Sequence, residues 1–331
     1  MFNPKEEITE EEVFLIENVL RPKTLNDIIG RKKEKDYLKV VIKAAKKRGE
    51  AIDHIILHGP PGLGKTSIAQ VVANEIGTPF YSTSGPAIMK KGDLASILTS
   101  IEKNGVLFID EIHRLNKTIE EMLYSAMEDR NLDIIIGKGP SAKSIKIELN
   151  PFTIIGATTR IGLLSSPLRD RFGIDLHLDY YPYDELLELV LQKARILKVV
   201  IPKDAALVIA KRARRTPRIA IRILKRVRDL AQYKGFTDIN LKTTLEALEM
   251  MEIDEFGLDN LDRRILSALY YNYKGGPVGL STLAATVTED IGTLEDVYEP
   301  YLLKEGFINR TPRGRVITEK TINYFNTHGK N

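Results

Sequence analysis

The run Gly59-Pro60-Pro61-Gly62-Leu63-Gly64-Lys65-Thr66 has the residue types and spacing of a loop that wraps phosphate. Its glycines free the backbone to turn N–H groups inward, and a helix beginning at the loop's end adds partial positive charge. In such a loop Lys65 contacts the β- and γ-phosphates of a nucleotide, and the Thr66 hydroxyl ligates Mg²⁺. A Gly/Pro turn with an incidental lysine is the competing interpretation. The apolar run before the loop and the helical spacing after it argue against that. About 45 residues on, Val106-Leu107-Phe108-Ile109-Asp110-Glu111 ends an apolar stretch on two carboxylates. Asp110 is suited to hold Mg²⁺ and Glu111 to polarise an attacking water. Two acids there also serve to start a helix, but their distance from the phosphate loop favours the catalytic use.

Three further groups stand at element ends. Phe152-Thr153-Ile154-Ile155-Gly156-Ala157-Thr158-Thr159-Arg160 is apolar and then polar, and Thr159 either reads the γ-phosphate or caps a helix. Ser166-Pro167-Leu168-Arg169-Asp170-Arg171-Phe172-Gly173 carries two arginines. One suits an arginine finger aimed at a neighbour's γ-phosphate, and the other pairs with Asp170 or Asp175. Arg215-Thr216-Pro217-Arg218 opens a helix from which Arg218 can reach a nucleotide, while most of the basic run Lys211–Arg228 reads as a solvated helix face. Near the end, Arg310, Arg313 and Arg315 lie around a Pro/Gly turn, either as sequence-independent DNA contacts or as a solvated turn. The preceding helix, Thr293–Glu299, carries three acids that would repel phosphates in a groove.

These residues need a scaffold. His54–His58, Val106–Ile109 and Phe152–Ala157 read as buried strands, and Thr66–Ile76 and Lys117–Met127 as helices between them. That alternation predicts an α/β fold with a parallel, doubly wound sheet. Leu132–Ile136 and Ser144–Leu149 flank a polar Gly137–Ala142 turn, a β-hairpin pattern. From Asp184 the pattern becomes helical: Asp184–Lys198, Asp204–Ala213, Pro217–Lys234 and Leu241–Met250. Beyond Gly257 come Leu261–Tyr273, Leu280–Val287 and Thr293–Glu305, then two short β segments, the pattern of a winged helix. The expected domains are 1–183, 184–256 and 257–331.

Composition excludes much else. The 331 residues contain no cysteine, which rules out disulfides, thiolate metal sites and cysteine nucleophiles. Five histidines show no ligand spacing, which argues against a histidine metal site. No apolar stretch is long enough to span a membrane, and Met1–Glu12 is acidic without a signal-peptide core. The expectation is a cytoplasmic, nucleotide-driven protein with no membrane partner.

Taken together, these motifs resemble the RuvB family, the Holliday-junction branch-migration motors among the AAA+ ATPases. The resemblance runs through Leu20-Arg21-Pro22-Lys23-Thr24-Leu25, Gly59–Thr66 and Leu107-Phe108-Ile109-Asp110-Glu111-Ile112-His113-Arg114. It continues through Ser165–Gly173, Gly275-Gly276-Pro277-Val278-Gly279-Leu280 and Arg310-Thr311-Pro312-Arg313-Gly314-Arg315. The family implies ATP and Mg²⁺ as cofactors, with a large AAA+ domain, a helical lid and a winged-helix head. It further implies a homo-hexamer acting on duplex DNA and Holliday junctions in recombination, repair and the SOS response. RuvA would dock on the 132–149 hairpin, and RuvC is a further partner. By resemblance, Leu20, Arg21, Gly62, Gly64, Lys65, Thr66, Ser67, Tyr181 and Arg218 bind nucleotide. Glu128, Asp129 and Arg130 approach it at a subunit boundary. Thr159 is a sensor, Arg171 the finger acting in trans, and Arg310 and Arg315 are wing contacts to DNA. Ser67 and Arg130 depart from the usual residues, where a threonine and an aromatic are common. An initiator or clamp-loader ATPase, a non-hydrolysing DNA scaffold and a protein-remodelling ATPase, which would call for an aromatic translocation loop, are the rival uses of such a chain. The acidic helix 293–299 argues against the first and the Asp110–Glu111 pair against the second.

Overall fold

The computed structural model describes residues 19–136 and 143–328. The Gly137–Ala142 turn and the acidic start Met1–Glu12 lie outside the described residues. The chain divides into two compact units, Met1–Gly59 with Gly64–Asp179, and Pro60–Leu63 with Tyr180–Asn331.

The first unit is built on strands β1 (Ile55–His58), β2 (Phe80–Ser84), β3 (Gly105–Asp110), β6 (Phe152–Thr158) and β7 (Ile174–His177). They form one parallel sheet in the order β2-β3-β6-β1-β7. The three central strands are buried almost throughout. Burial on both faces demands continuous apolar runs, which is why these strands stand out in the sequence. The edges β2 and β7, reading Phe-Tyr-Ser-Thr-Ser and Ile-Asp-Leu-His, escaped the sequence reading. An edge strand keeps polar residues because only one side is paired. Helices α1 (Lys32–Arg48), α2 (Lys65–Ile76), α3 (Lys91–Ser100), α4 (Lys117–Asp129) and α5 (Ser166–Arg169) complete the unit. Leu94, Leu98, Leu123, Phe152 and Ile154 belong to the apolar cluster that joins α3 and α4 to the sheet. After α4, β4 (Asn131–Ile136) and β5 (Lys143–Glu148) pair antiparallel from Asn131↔Glu148 to Ile136↔Lys143.

The second unit begins with α6 (Tyr183–Ile196), α7 (Lys203–Arg212), α8 (Pro217–Tyr233) and α9 (Leu241–Met250). Their bounds fall within two residues of the sequence expectation, because each carries an amphipathic stripe. Next come α10 (Asn260–Ser267) with a π-helical turn Ala268–Asn272, and α11 (Leu280–Thr286). The short α12 (Ile291–Thr293), a second π turn Leu294–Tyr298 and α13 (Glu299–Lys304) follow one another directly. The β8 (Ile308–Thr311) and β9 (Gly314–Ile317) ribbon pairs Arg310 opposite Arg315, and α14 (Glu319–His328) closes the chain. Leu266, Leu269, Leu283, Tyr301, Leu302 and Phe307 are in the core of this last part.

The basic run Lys211–Arg228 is only partly a solvated face, contrary to the sequence expectation. Lys211, Arg218, Arg222 and Arg226 are exposed, but Arg214 is buried. The Arg214 guanidinium lies 3.2 Å from Asp262 and 3.5 Å from Asp259. It also stacks over the rings of Tyr298 and Tyr301, with centroids at 5.0 and 4.6 Å. Arg215 pairs with Glu305 at 3.6 Å. Charges that must accompany packed helices are neutralised by partners distant in sequence, which composition cannot reveal.

Candidate functional site

The sheet order places the carboxyl ends of β3, β6 and β1 side by side, the usual location of a ligand site in an open parallel sheet. Three of the groups singled out in the sequence therefore meet in the first unit. Gly59 leaves β1 at φ 137°, and a Cβ there would lie 2.1 Å from the Leu178 carbonyl oxygen, so only glycine fits. Gly62 and Gly64 also have positive φ, at 80° and 91°. Lys65 starts α2, is 9% exposed, and its Nζ donates to the Gly59 carbonyl at 2.7 Å. The lysine is thus held across the mouth of the glycine loop. Thr66 and Ser67 follow, both half-buried.

Asp110 ends β3. Its Oδ1 accepts the Glu111 N–H at 2.9 Å, and Glu111 takes a left-handed φ of 49°. That turn leaves the Glu111 carboxylate part-exposed, 3.3 Å from the Arg114 guanidinium. On β6, Thr158 is buried and its hydroxyl is hydrogen-bonded to His113 Nδ1 at 2.9 Å, while Thr159 next to it is half-buried. His113 ties the segment after Glu111 to the end of β6. Sequence reading missed it, because a lone histidine 45 residues from its partner carries no local signal. The same holds for His58, whose Nε2 lies 2.8 Å from Asp175 and whose ring stacks on His177. Burial, the largest influence, lowers the His58 pKa against the opposing pull of Asp175.

Arg171 Nη2 lies 2.5 Å from Glu128 Oε2, so the candidate finger and the first residue of the Glu128–Arg130 segment are brought together within one chain. Asp129 and Arg130 are exposed at the end of α4, where Arg130 adopts a left-handed φ of 52°. Leu20 is buried and Arg21 exposed.

In the second unit, the Arg218 N–H donates to the Gly62 carbonyl at 3.3 Å, and the Arg218 side chain is exposed. Tyr181 is buried and its N–H donates to the Arg215 carbonyl at 3.0 Å. The three wing arginines differ in burial. Arg310 and Arg313 are exposed, but Arg315 is buried and donates to both oxygens of Glu299, Nε to Oε1 and Nη2 to Oε2, each at 2.8 Å. The side-on edge of that guanidinium is thereby taken up by Glu299, so Arg315 helps to build the fold. Glu299 is likewise withdrawn from solvent. One of the three acids expected to repel DNA is therefore neutralised.

Oxygen donors at Thr66 and Asp110 suit a hard cation such as Mg²⁺. A loop with positive φ at Gly59, Gly62 and Gly64, and a lysine held against its first carbonyl, suits a nucleotide's phosphates. Among the described residues no group of three or more His, Asp or Glu could hold a metal ion, and no helix is long and apolar enough to cross a membrane.

Comparison with known proteins agrees over most of the chain. Residues 20–178 match the family described as the Holliday junction DNA helicase RuvB P-loop domain. Residues 181–254 match the RuvB AAA lid domain, and residues 255–326 the RuvB C-terminal winged-helix domain. The chain is 58% identical over 303 residues to the Holliday junction branch migration complex subunit RuvB of Parabacteroides distasonis, covering 92% of this chain and 89% of that protein. It superposes on the Thermotoga maritima RuvB Holliday junction branch migration motor with a TM-score of 0.86 at 51% identity, covering 93% of this chain and 98% of that one. A single-residue variant of the same Thermotoga protein gives 0.87 at 51% identity over the same shares. With the phosphate loop, the acidic strand end, the helical lid and the wing all in place, the chain belongs to the RuvB family of P-loop Holliday-junction helicases.

Proposed function

We propose that this chain is an ATP-dependent motor that drives branch migration of Holliday junctions, drawing duplex DNA through a homo-hexameric ring together with RuvA. The observation that carries the reading is the juxtaposition of Lys65, the Asp110–Glu111 pair and Thr159 at neighbouring strand ends. Lys65 and the loop N–H groups bind the nucleotide's phosphates, and Gly62, Gly64, Thr66, Ser67, Leu20, Arg21, Tyr181 and Arg218 are further nucleotide-binding residues. Thr66 and Asp110 hold Mg²⁺, which when bound neutralises developing phosphate charge. Glu111 accepts a proton from the attacking water as it adds to the γ-phosphorus, and ADP leaves. Thr159 and Arg218 report whether the γ-phosphate is present. Arg171 reaches a neighbouring subunit's phosphate in the ring, with Glu128, Asp129 and Arg130 on the same surface.

The exposed wing arginines Arg310 and Arg313 grip the DNA backbone irrespective of sequence. The hairpin 132–149 is the docking element for RuvA, and RuvC is a further partner on the junction. The domains are 1–183, 184–256 and 257–331, and the setting is cytoplasmic recombination, repair and the SOS response.

The test is ATP hydrolysis alone, with duplex DNA, and with a four-way junction plus RuvA, strand products being read in parallel. Junction processing that is lost in Lys65→Ala and Glu111→Gln supports the motor. Hydrolysis without junction processing would instead indicate a loader or initiator, and no hydrolysis in any mixture a scaffold.

A further inference from the structure

The winged-helix part carries a cavity of about 470 Å³ to which neither β8 nor β9 contributes. Its walls come from α10, the π-helical turn after it, the end of α11, and α14. Arg263, Arg264, Tyr271, Asn272, Thr286 and Phe325 are among the residues that line it.

The chemistry of these walls is specific. Arg263 Nη1 donates to the carbonyls of Glu252 and Leu258, at 2.7 and 3.2 Å. Arg264 Nη2 donates to the Val287 carbonyl. These carbonyls hold the guanidiniums in place but do not neutralise them, and among the described residues neither arginine makes an ion pair. The Tyr324 hydroxyl is already spent on Asp254 at 2.9 Å. Tyr271 is 53% exposed, braced edge-on by Tyr270 and Phe325 with centroids at 4.8 and 5.4 Å. A half-exposed tyrosine ring in one recess with two guanidiniums whose hydrogen bonds go to backbone carbonyls is a platform for a ligand that is both planar and anionic. An acidic peptide would answer the arginines and leave the rings unused. An apolar helix would cover the rings and bury the guanidiniums without counter-charge, which is costly. A nucleotide answers both, with its phosphate on the arginines and its base on the ring. In a duplex the base faces are already stacked on one another, so the base must come from an unpaired strand.

We propose that this recess binds one unpaired nucleotide of a DNA strand, its base against Tyr271 and Phe325 and its phosphate on Arg263 and Arg264. The site goes beyond the motor's grip on duplex and gives the winged helix a contact with DNA that has opened.

The test uses the full chain and a thymidine oligonucleotide bearing one 2-aminopurine. Binding should quench the 2-aminopurine as it stacks. Tyr271→Ala should abolish the quench and weaken single-strand affinity about tenfold, the share of one base–aromatic stack. Tyr271→Phe keeps the ring and should restore both. Duplex affinity should be unchanged by either. Equal losses on duplex and single strand, or no loss in Tyr271→Ala, would overturn the proposal. Photocrosslinking a 5-iodouracil strand to the wild-type chain needs no substitution. Attachment at Tyr271 or Phe325 supports the recess, and attachment only at the wing refutes it. If thymidine monophosphate competes as well as the strand per nucleotide, the strand assignment falls and the recess takes free nucleotides.

Discussion

Arg315 and Glu299 form a two-pronged ion pair across the winged-helix core, with both nitrogen–oxygen distances at 2.8 Å and both side chains nearly inaccessible. The pair divides the wing arginines into one that builds the fold and two that face solvent. Arg315→Ala leaves Glu299 buried and alone, so it should lower stability by about 3–5 kcal/mol, read by chemical denaturation. Arg310→Ala with Arg313→Ala should leave stability within about 0.5 kcal/mol. Those two should instead weaken duplex binding on every sequence and flatten its salt dependence. A wild-type salt slope in that double variant would remove the wing from the DNA interface.

The Arg171–Glu128 contact gives the candidate finger a partner in its own chain. Both groups are more than a third exposed, so the pair adds little stability. Arg171→Ala should therefore melt like wild type and bind nucleotide normally. Its turnover at ring-forming concentrations should fall on the order of a thousandfold. Mixing it with Lys65→Ala chains should restore part of the activity, because each supplies what the other lacks. Full turnover by Arg171→Ala alone would exclude it as the finger.

Gly59 and Gly64 make a matched pair for testing the loop. Alanine at 59 would put its Cβ 2.1 Å from the Leu178 carbonyl oxygen at φ 137°, whereas alanine at 64, at φ 91°, meets nothing within 4 Å. Both carry backbone strain of about 1–3 kcal/mol. Only Gly59→Ala must also push strand β7's exit away. Thermal unfolding should show the larger drop for Gly59→Ala, and equal drops would mean that the close approach is relieved at no cost.

The two units should respond to pH with opposite signs. His54 is lowered to about 4, chiefly by burial, and its Nδ1 accepts the Ile154 N–H at 2.8 Å. A base whose folded pKa lies below its unfolded value near 6.5 contributes stability above that value and loses it as pH falls toward 4. Asp262 is raised to about 7, again chiefly by burial, which outweighs the neighbouring Arg214. Its contribution is fully present below the unfolded value of 3.8 and is lost as pH rises through 7. Calorimetry from pH 4 to 8 should show one transition weakening on the acid side. The Asp262-dependent one should weaken toward neutrality, and Asp262→Asn should flatten it. If Asp262→Asn leaves the pH profile of wild type intact, burial does not govern that carboxyl.

The chain's chemistry is legible residue by residue wherever neighbours in sequence do the work. Gly59 through Thr66 is one loop, and Asp110 and Glu111 are one strand end. The same is true of the central strands β1, β3 and β6, whose burial on both faces forces apolar runs, and of the lid helices with their amphipathic stripes. The edge strands β2 and β7 were illegible because an edge tolerates polar residues.

Local spacing, by itself, determined the phosphate loop, the acidic pair, the alternation that makes a parallel sheet, and the order of lid and wing. Those features depend on periods of two or 3.6 residues and on turn chemistry, all written within a few positions. Tertiary structure alone decided that Arg315 pairs with Glu299, and that Arg214 is buried against Asp262. It also decided that Thr158 meets His113, and that Tyr271 stands beside Arg263 and Arg264. An arginine's role depends on which carboxylate, ring or solvent surrounds its guanidinium. That environment is assembled only when distant segments pack together.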